Sequence, residues 1–177
     1  MPADNRSEPA RIPGGWRDVA SALDGPLARC PDAEALVGRG SPYSYAQLDA
    51  QVNAAALALQ QLGLQPGERL AACSANQADL VIAFLASQRL GAVWLGINTI
   101  LAPPEKVYQL ADAEACVLLA DRRTAAQIEP PTGFGRADEA DRFILGIAKT
   151  EKRVVLLVDI DLILSSYRHT MSAHGFP

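Results

Sequence analysis

Residues 69–97 read RLAACSANQADLVIAFLASQRLGAVWLGI. The apolar run at 69–74 (RLAACS) suits a short buried strand. Asn76 can cap a helix behind it, and Asp79 falls in the first turn, where the helix dipole favours negative charge. Leu80, Phe84, Leu85 and Gln88 carry that helix forward, and Gly91 ends it. The run at 92–97 (AVWLGI) is the next strand. A strand, a helix and a second strand joined by a few residues predict two parallel neighbours with a crossover helix between them.

The same rhythm extends on both sides. Upstream, Ser44 can cap a helix, and Gln47 three residues on completes a capping box. Leu48, Val52, Ala55, Leu59 and Leu62 recur at steps of three or four, which gathers them on one face. Gly63 supplies the left-handed residue after that helix, and Pro66-Gly67 is a turn. Downstream, Pro103-Pro104-Glu105 opens a third helix to about Ala111, because proline is tolerated in a first helical turn. Residues 115–120 (ACVLLA) form a third strand. Continuous apolar strands between amphipathic helices imply a parallel sheet covered on both faces.

Nearer the N-terminus, residues 33–37 read as a strand, and Gly38-Arg39-Gly40 as a hairpin leading into Tyr43. Residues 16–27 suit a short helix stopped by Gly25-Pro26 and Pro31. Residues 1–15 (MPADNRSEPARIPGG) are expected to form a disordered arm, with no apolar stretch of the kind a secretory signal needs.

Beyond Asp121 the pattern changes. Residues 122–127 are polar, and Pro130, Pro131, Gly133 and Gly135 mark a loop. Residues 142–150 (RFILGIAKT) and 152–160 (KRVVLLVDI) are β-rich runs around Glu151 and predict an antiparallel hairpin. Residues 161–166 suit a final helical turn, and residues 165–177 a disordered tail. The expected fold class is α/β: a partial doubly wound, mainly parallel sheet with flanking helices, plus a small C-terminal β-hairpin appendage.

The totals exclude several functions. Apolar residues make up 49% of the 177 and charged residues 20%, an ordinary globular balance. A net charge of −4 gives no electrostatic case for nucleic acid or an anionic membrane. No apolar run reaches the roughly 18 residues of a membrane span, so no membrane insertion is expected. Cys30, Cys73 and Cys116 have neither metal-ligand nor C-x-x-C spacing. Cys73 and Cys116 sit in apolar runs, as buried free thiols do, which suits a cytoplasmic location. His169 and His174 have no ligand partner at useful spacing, so no metal site is expected.

Tyr43-Ser44-Tyr45-Ala46-Gln47-Leu48 resembles the first core motif of the adenylate-forming enzymes: acyl-CoA synthetases, peptide-synthetase adenylation domains and luciferases. Ser87-Gln88-Arg89-Leu90-Gly91-Ala92-Val93-Trp94-Leu95-Gly96-Ile97-Asn98 is similar to their second. The turn Gly63-Leu64-Gln65-Pro66-Gly67-Glu68-Arg69-Leu70 and residues 101–121 continue in register, so the resemblance spans about 16–121. Gly96 and Thr99 stand where the family often has proline.

In the family these motifs are structural: Gly91 ends a helix, and Tyr45 and Leu48 anchor another. The resemblance implies ATP, Mg and CoA for full-length members. It also implies three chemical parts: a Ser/Thr/Gly-rich phosphate loop ending in lysine, an acidic residue for the ribose, and a lysine near the end of the protein. The chain contains none of them. Thr132-Gly133-Phe134-Gly135 lacks both the hydroxyl cluster and the lysine and reads as a turn. No catalytic, cofactor-binding or metal residue is therefore assigned, and no cofactor is expected for this chain alone.

A second resemblance covers about 128–164, after a junction at 122–127. Ile144-Leu145-Gly146-Ile147-Ala148-Lys149 and Val154-Val155-Leu156-Leu157-Val158-Asp159-Ile160-Asp161 look like the closing strands of the chemotaxis adaptor CheW. That resemblance implies contact with the kinase CheA or a chemoreceptor. A two-stranded ribbon is marginal in water, so it must pack on something, extend the edge of the first sheet, or promote self-association through exposed strands. Asp159 and Asp161 share one strand face and read as a solvent-facing charge pair.

Three functional readings follow. The chain is a fragment of an acyl-CoA synthetase-like protein, inactive alone; or a CheW-like adaptor; or a recombined gene product with no evolved function. The two-origin reading expects the segments on either side of about residue 125 to share little core.

Overall fold

A computed structural model of the chain describes residues 18–38, 42–125, 144–149 and 154–163. The first helix, α1, spans Asp24–Arg29, and Leu23 ahead of it is buried. Gly25-Pro26, expected to stop a helix, instead lies in its first turn. The cause is that a first-turn N–H has no intrahelical partner to lose, so proline costs little there. Trp16 and the arm before it lie outside the described residues.

Strands β1 (Glu34–Leu36) and β2 (Tyr43–Ser44) pair antiparallel as expected. Helix α2 (Tyr45–Gln61) begins on the predicted capping box. The Gln47 N–H donates to Ser44 Oγ at 3.3 Å, and the Ser44 N–H donates to Gln47 Oε1 at 2.9 Å. Gly63 at φ +91° and Gly91 at φ +68° take the left-handed conformation that ends helices.

The body is a five-stranded sheet built from β3 (Arg69–Cys73), β4 (Val93–Gly96), β5 (Val117–Ala120), β6 (Ile144–Lys149) and β7 (Val154–Asp159). Its order is β4-β3-β5-β7-β6. The first four strands run parallel, and β6 adds antiparallel to β7 at the edge. Helices α3 (Ala78–Arg89) and α4 (Pro103–Asp112) are the crossovers, and α5 (Arg122–Ala125) is a single turn after β5.

Alternation along the strands splits the core in two. Leu70, Ala72, Val117, Leu119 and Val158 face the α2 and α3 side with Leu48, Val52, Leu59, Ile82 and Ala86. Ala71, Cys73, Leu118, Ala120, Val155 and Leu157 face the α4 side with Leu110. Arg89 ties α3 to α2 through the Asp49 carboxylate and the Asn53 carboxamide.

The hairpin is therefore no appendage, and the expectation that the two segments share little core is overturned. β7 lies directly on β5, with Val117 opposite Leu156 and Leu119 opposite Val158. The reason is its composition. Val155, Leu157, Val158 and Ile160 are all buried, and a strand apolar on both faces belongs inside a covered parallel sheet. Residues 126–143, 150–153 and 164–177, which include the expected loop and tail, lie outside the described residues.

Two caps also differ from expectation. Asn76 does not cap α3; Gln77 holds the N-cap position without a side-chain bond to the helix, and its Nε2 donates to Asp161 Oδ1 at 3.2 Å. Asp159 is 1% exposed rather than solvent-facing. Its Oδ1 accepts from the N–H groups of Asp161 at 3.0 Å and Leu162 at 3.2 Å, because the strand ends in a helical turn whose first donors need an acceptor.

Candidate functional site

Crevices at the carboxyl ends of parallel strands are where open α/β sheets hold ligands. This sheet has one over β3 and β4, with a volume of about 430 Å³. Ser74, Ala75 and Asn76, on the loop leaving β3, form one wall. Trp94, Gly96 and the loop after β4 (Ile97, Asn98 and Thr99) form the other, and Leu80 of α3 closes the side. The Ile97 N–H donates to the Ala72 carbonyl at 2.8 Å and fixes the two walls to each other.

Local structure sets each lining group. The Trp94 indole is held edge-on against Phe84, with ring centroids 5.6 Å apart at 81°. Asn98 Oδ1 accepts from the Ile100 N–H at 3.1 Å, an Asx turn that shapes the loop. Gly96 leaves room beside the indole: a Cβ there would lie 3.6 Å from Trp94 Nε1. Ser74 is 7% exposed, and its Oγ is buried without a hydrogen-bond partner among the described residues.

Among the described residues no Lys or Arg lines the cleft, and Asp79 sits in the first turn of α3. The described lining thus offers no cation to the phosphates of a nucleotide. None of its residues was singled out from the sequence as functional. A polar residue closing the apolar run 69–74 is the signal that points to Ser74, because side chains just past a parallel strand line such crevices.

A second polar group is buried on the other face. Lys106 of α4 is 0% exposed, and Cys73, Asp121 and Thr124 gather at the ends of β3 and β5. Burial pushes the Cys73 thiol up; Asp121 adds to this, while Lys106 and a hydrogen bond with Thr124 oppose it. A buried thiol held protonated is a packing group rather than a nucleophile. Asp121 Oδ1 also accepts from the Thr124 N–H at 2.7 Å and starts α5, a helical turn inside the segment read as a polar junction.

Asp159 and Asp161 form no metal centre. Among the described residues no group of three or more His, Cys, Asp or Glu side chains is placed to hold an ion. Also among them, no helix is long and apolar enough to cross a membrane. His169, His174 and residues 132–135, expected to form a turn, lie outside the described residues.

Comparison with known proteins covers both segments at once. The family profile described as AMP-binding enzyme matches residues 23–165. The chain is 33% identical to novobiocin biosynthesis protein H of Streptomyces niveus over 152 residues, 85% of this chain and 24% of that protein. It is 32% identical to a 3-hydroxybenzoate–CoA ligase of Aromatoleum sp. (strain CIB) over 113 residues, 63% of this chain and 22% of the relative. Among solved structures, the anthranilate CoA ligase AuaEII in complex with anthranoyl-AMP aligns with a TM-score of 0.61 at 29% identity, covering 66% of this chain and 22% of that one. A Mycobacterium tuberculosis fatty acyl CoA synthetase aligns with a TM-score of 0.60 at 30% identity, covering 62% and 22%.

The chain thus spans under a quarter of the length of these relatives. The resemblance of 128–164 to CheW has no support from them, and the matched stretch runs through that segment. With the profile covering most of the chain and a sheet shared with acyl-CoA ligases, this chain belongs to the AMP-binding enzyme family.

Proposed function

We propose that this chain supplies the first parallel-sheet unit of an AMP-forming acyl-CoA ligase and does not adenylate an acid by itself. The observation that carries the reading is the match over 23–165, which begins before α1 and runs past β7. The sheet built by that stretch is the scaffold on which larger family members mount their chemistry. The sequence supports it: no hydroxyl-rich loop in it ends in lysine, and among the described residues no cation lines the cleft over β3 and β4. ATP, Mg and CoA belong to the full-length proteins in this reading, and the acyl substrate is set by parts beyond this unit.

The test is ATP–pyrophosphate exchange by the purified chain with benzoic, 3-hydroxybenzoic and long-chain fatty acids, beside a thermal-shift titration with ATP–Mg. Exchange at the level of the protein-free control, with no saturable rise in Tm, is expected, since a ligand of the folded state alone must raise it. Exchange above that control, or a saturable shift with ATP–Mg, overturns the reading. A parallel titration with a CheA regulatory domain is expected to give no shift; a saturable one would favour an adaptor.

A further inference from the structure

We propose that the open edge of β4 binds a second copy of this chain, the two β4 strands pairing antiparallel about a twofold axis at Leu95 and joining two sheets edge to edge. The contact does not depend on the adenylation reading.

Three observations meet at that edge. The first is the backbone. β4 closes one side of the sheet, and among the described residues β3 is its only strand partner. The Val93 N–H donates to the Glu68 carbonyl and the Ile97 N–H to the Ala72 carbonyl, each at 2.8 Å. Successive residues of a strand turn their N–H and C=O groups to opposite sides, so Trp94 and Gly96 turn theirs away from β3.

The second is self-complementarity. In an antiparallel pair with Leu95 on the axis, Trp94 of each copy stands opposite Gly96 of the other and exchanges both backbone bonds with it. The outward groups of one copy are thus the partners that the other copy needs.

The third is the surround. Val93 is 51% exposed, and Ile100, in the loop after β4, is 85% exposed. A twofold contact brings side chains near the axis close to their own copies, so a charge there would be repelled. Residues 90–104 carry none. β4 also has no lysine, proline or bulge, the devices that keep an edge strand from pairing. A strand of 4 residues makes a small contact, so the dimer is a reversible one.

The test uses the full 177-residue chain. Sedimentation equilibrium from micromolar to submillimolar chain is expected to show monomer and dimer in exchange. Over the same range, hydrogen exchange followed by NMR is expected to slow at the amides of Trp94 and Gly96, while that of Leu95, which faces β3, changes little.

Gly96→Pro removes an outward N–H, at a place where an edge strand tolerates proline, and a Cβ there meets only Trp94 Nε1 at 3.6 Å. It is expected to raise the dimer Kd at least about tenfold, since the symmetric contact loses one bond from each copy. Val93→Lys, at an exposed site, is expected to raise it too while the chain still melts cooperatively, which keeps the test open if the proline variant fails to fold. A monomer at every concentration, a dimer unchanged in the folded variants, or protection gained at β6 instead of Trp94 and Gly96 overturns the proposal.

Discussion

Arg69 shows how one residue fastens an element. Its Nε donates to the Ala113 carbonyl at 2.7 Å, and its Nη2 to the Glu114 carbonyl and carboxylate, each at 3.0 Å. These carbonyls end α4, where the helix leaves acceptors unsatisfied and its dipole favours a cation. Glu114 turns at φ +51°, a left-handed conformation that a non-glycine residue holds only when its surroundings secure it. Arg69→Ala is expected to cost about 1–2 kcal/mol in urea unfolding, given charge-assisted bonds at a half-buried site. A loss under a few tenths would show that the α4 terminus does not depend on it.

Cys73 makes a contrasting prediction. Its thiol is held up chiefly by burial, so the folded chain keeps that proton at a pH where the unfolded chain has lost it. Stability is expected to fall as pH rises past the ordinary thiol range of about 8.5, and Cys73→Ala is expected to flatten that slope in denaturant melts. With a thiol reagent at neutral pH, exposed Cys30 should react in the native protein and Cys73 only on unfolding.

Among the elements, β7 decides the architecture. Its residues alternate between the two cores, Leu156 and Val158 toward α2 and α3, Val155 and Leu157 toward α4. A hairpin resting on the outside would tolerate truncation of these side chains; an internal strand does not. Leu157→Ala is expected to destabilise the protein by about 2–5 kcal/mol, the cost of a cavity in a packed core. A change below 1 kcal/mol would place β7 outside the core.

For the whole molecule the consequence is cooperativity. Because Val158, Ile160 and Ile163 pack in one cluster with Leu48, Val52 and Ile82, residues on both sides of the 122–127 stretch should melt together. A single transition is expected by calorimetry, with equal calorimetric and van't Hoff enthalpies. Two resolved transitions would restore a division near residue 125. The crevice above β3 and β4 is likewise a whole-molecule feature, since its walls come from segments about twenty residues apart that meet only because the strands are parallel neighbours.

The local code was legible from residues alone. The Ser44–Gln47 box, the glycines at 63 and 91, the prolines opening α4 and the apolar runs of β3, β4 and β5 each act within a few residues, so their meaning survives without the fold. The β6–β7 hairpin was legible too, as two runs around a charged turn. Where that hairpin docks was not. Pairing β7 on β5 joins residues nearly forty positions apart, and nothing in either run names its partner, since any long apolar strand can satisfy an open parallel edge. Burial of Asp159, the bond between Gln77 and Asp161, and the unpaired Ser74 hydroxyl all follow from that docking and from the crossovers. Short-range chemistry determined the elements; long-range packing, in which each central strand needs both faces covered, decided that β3 to β7 make a single sheet with a crevice above β3 and β4.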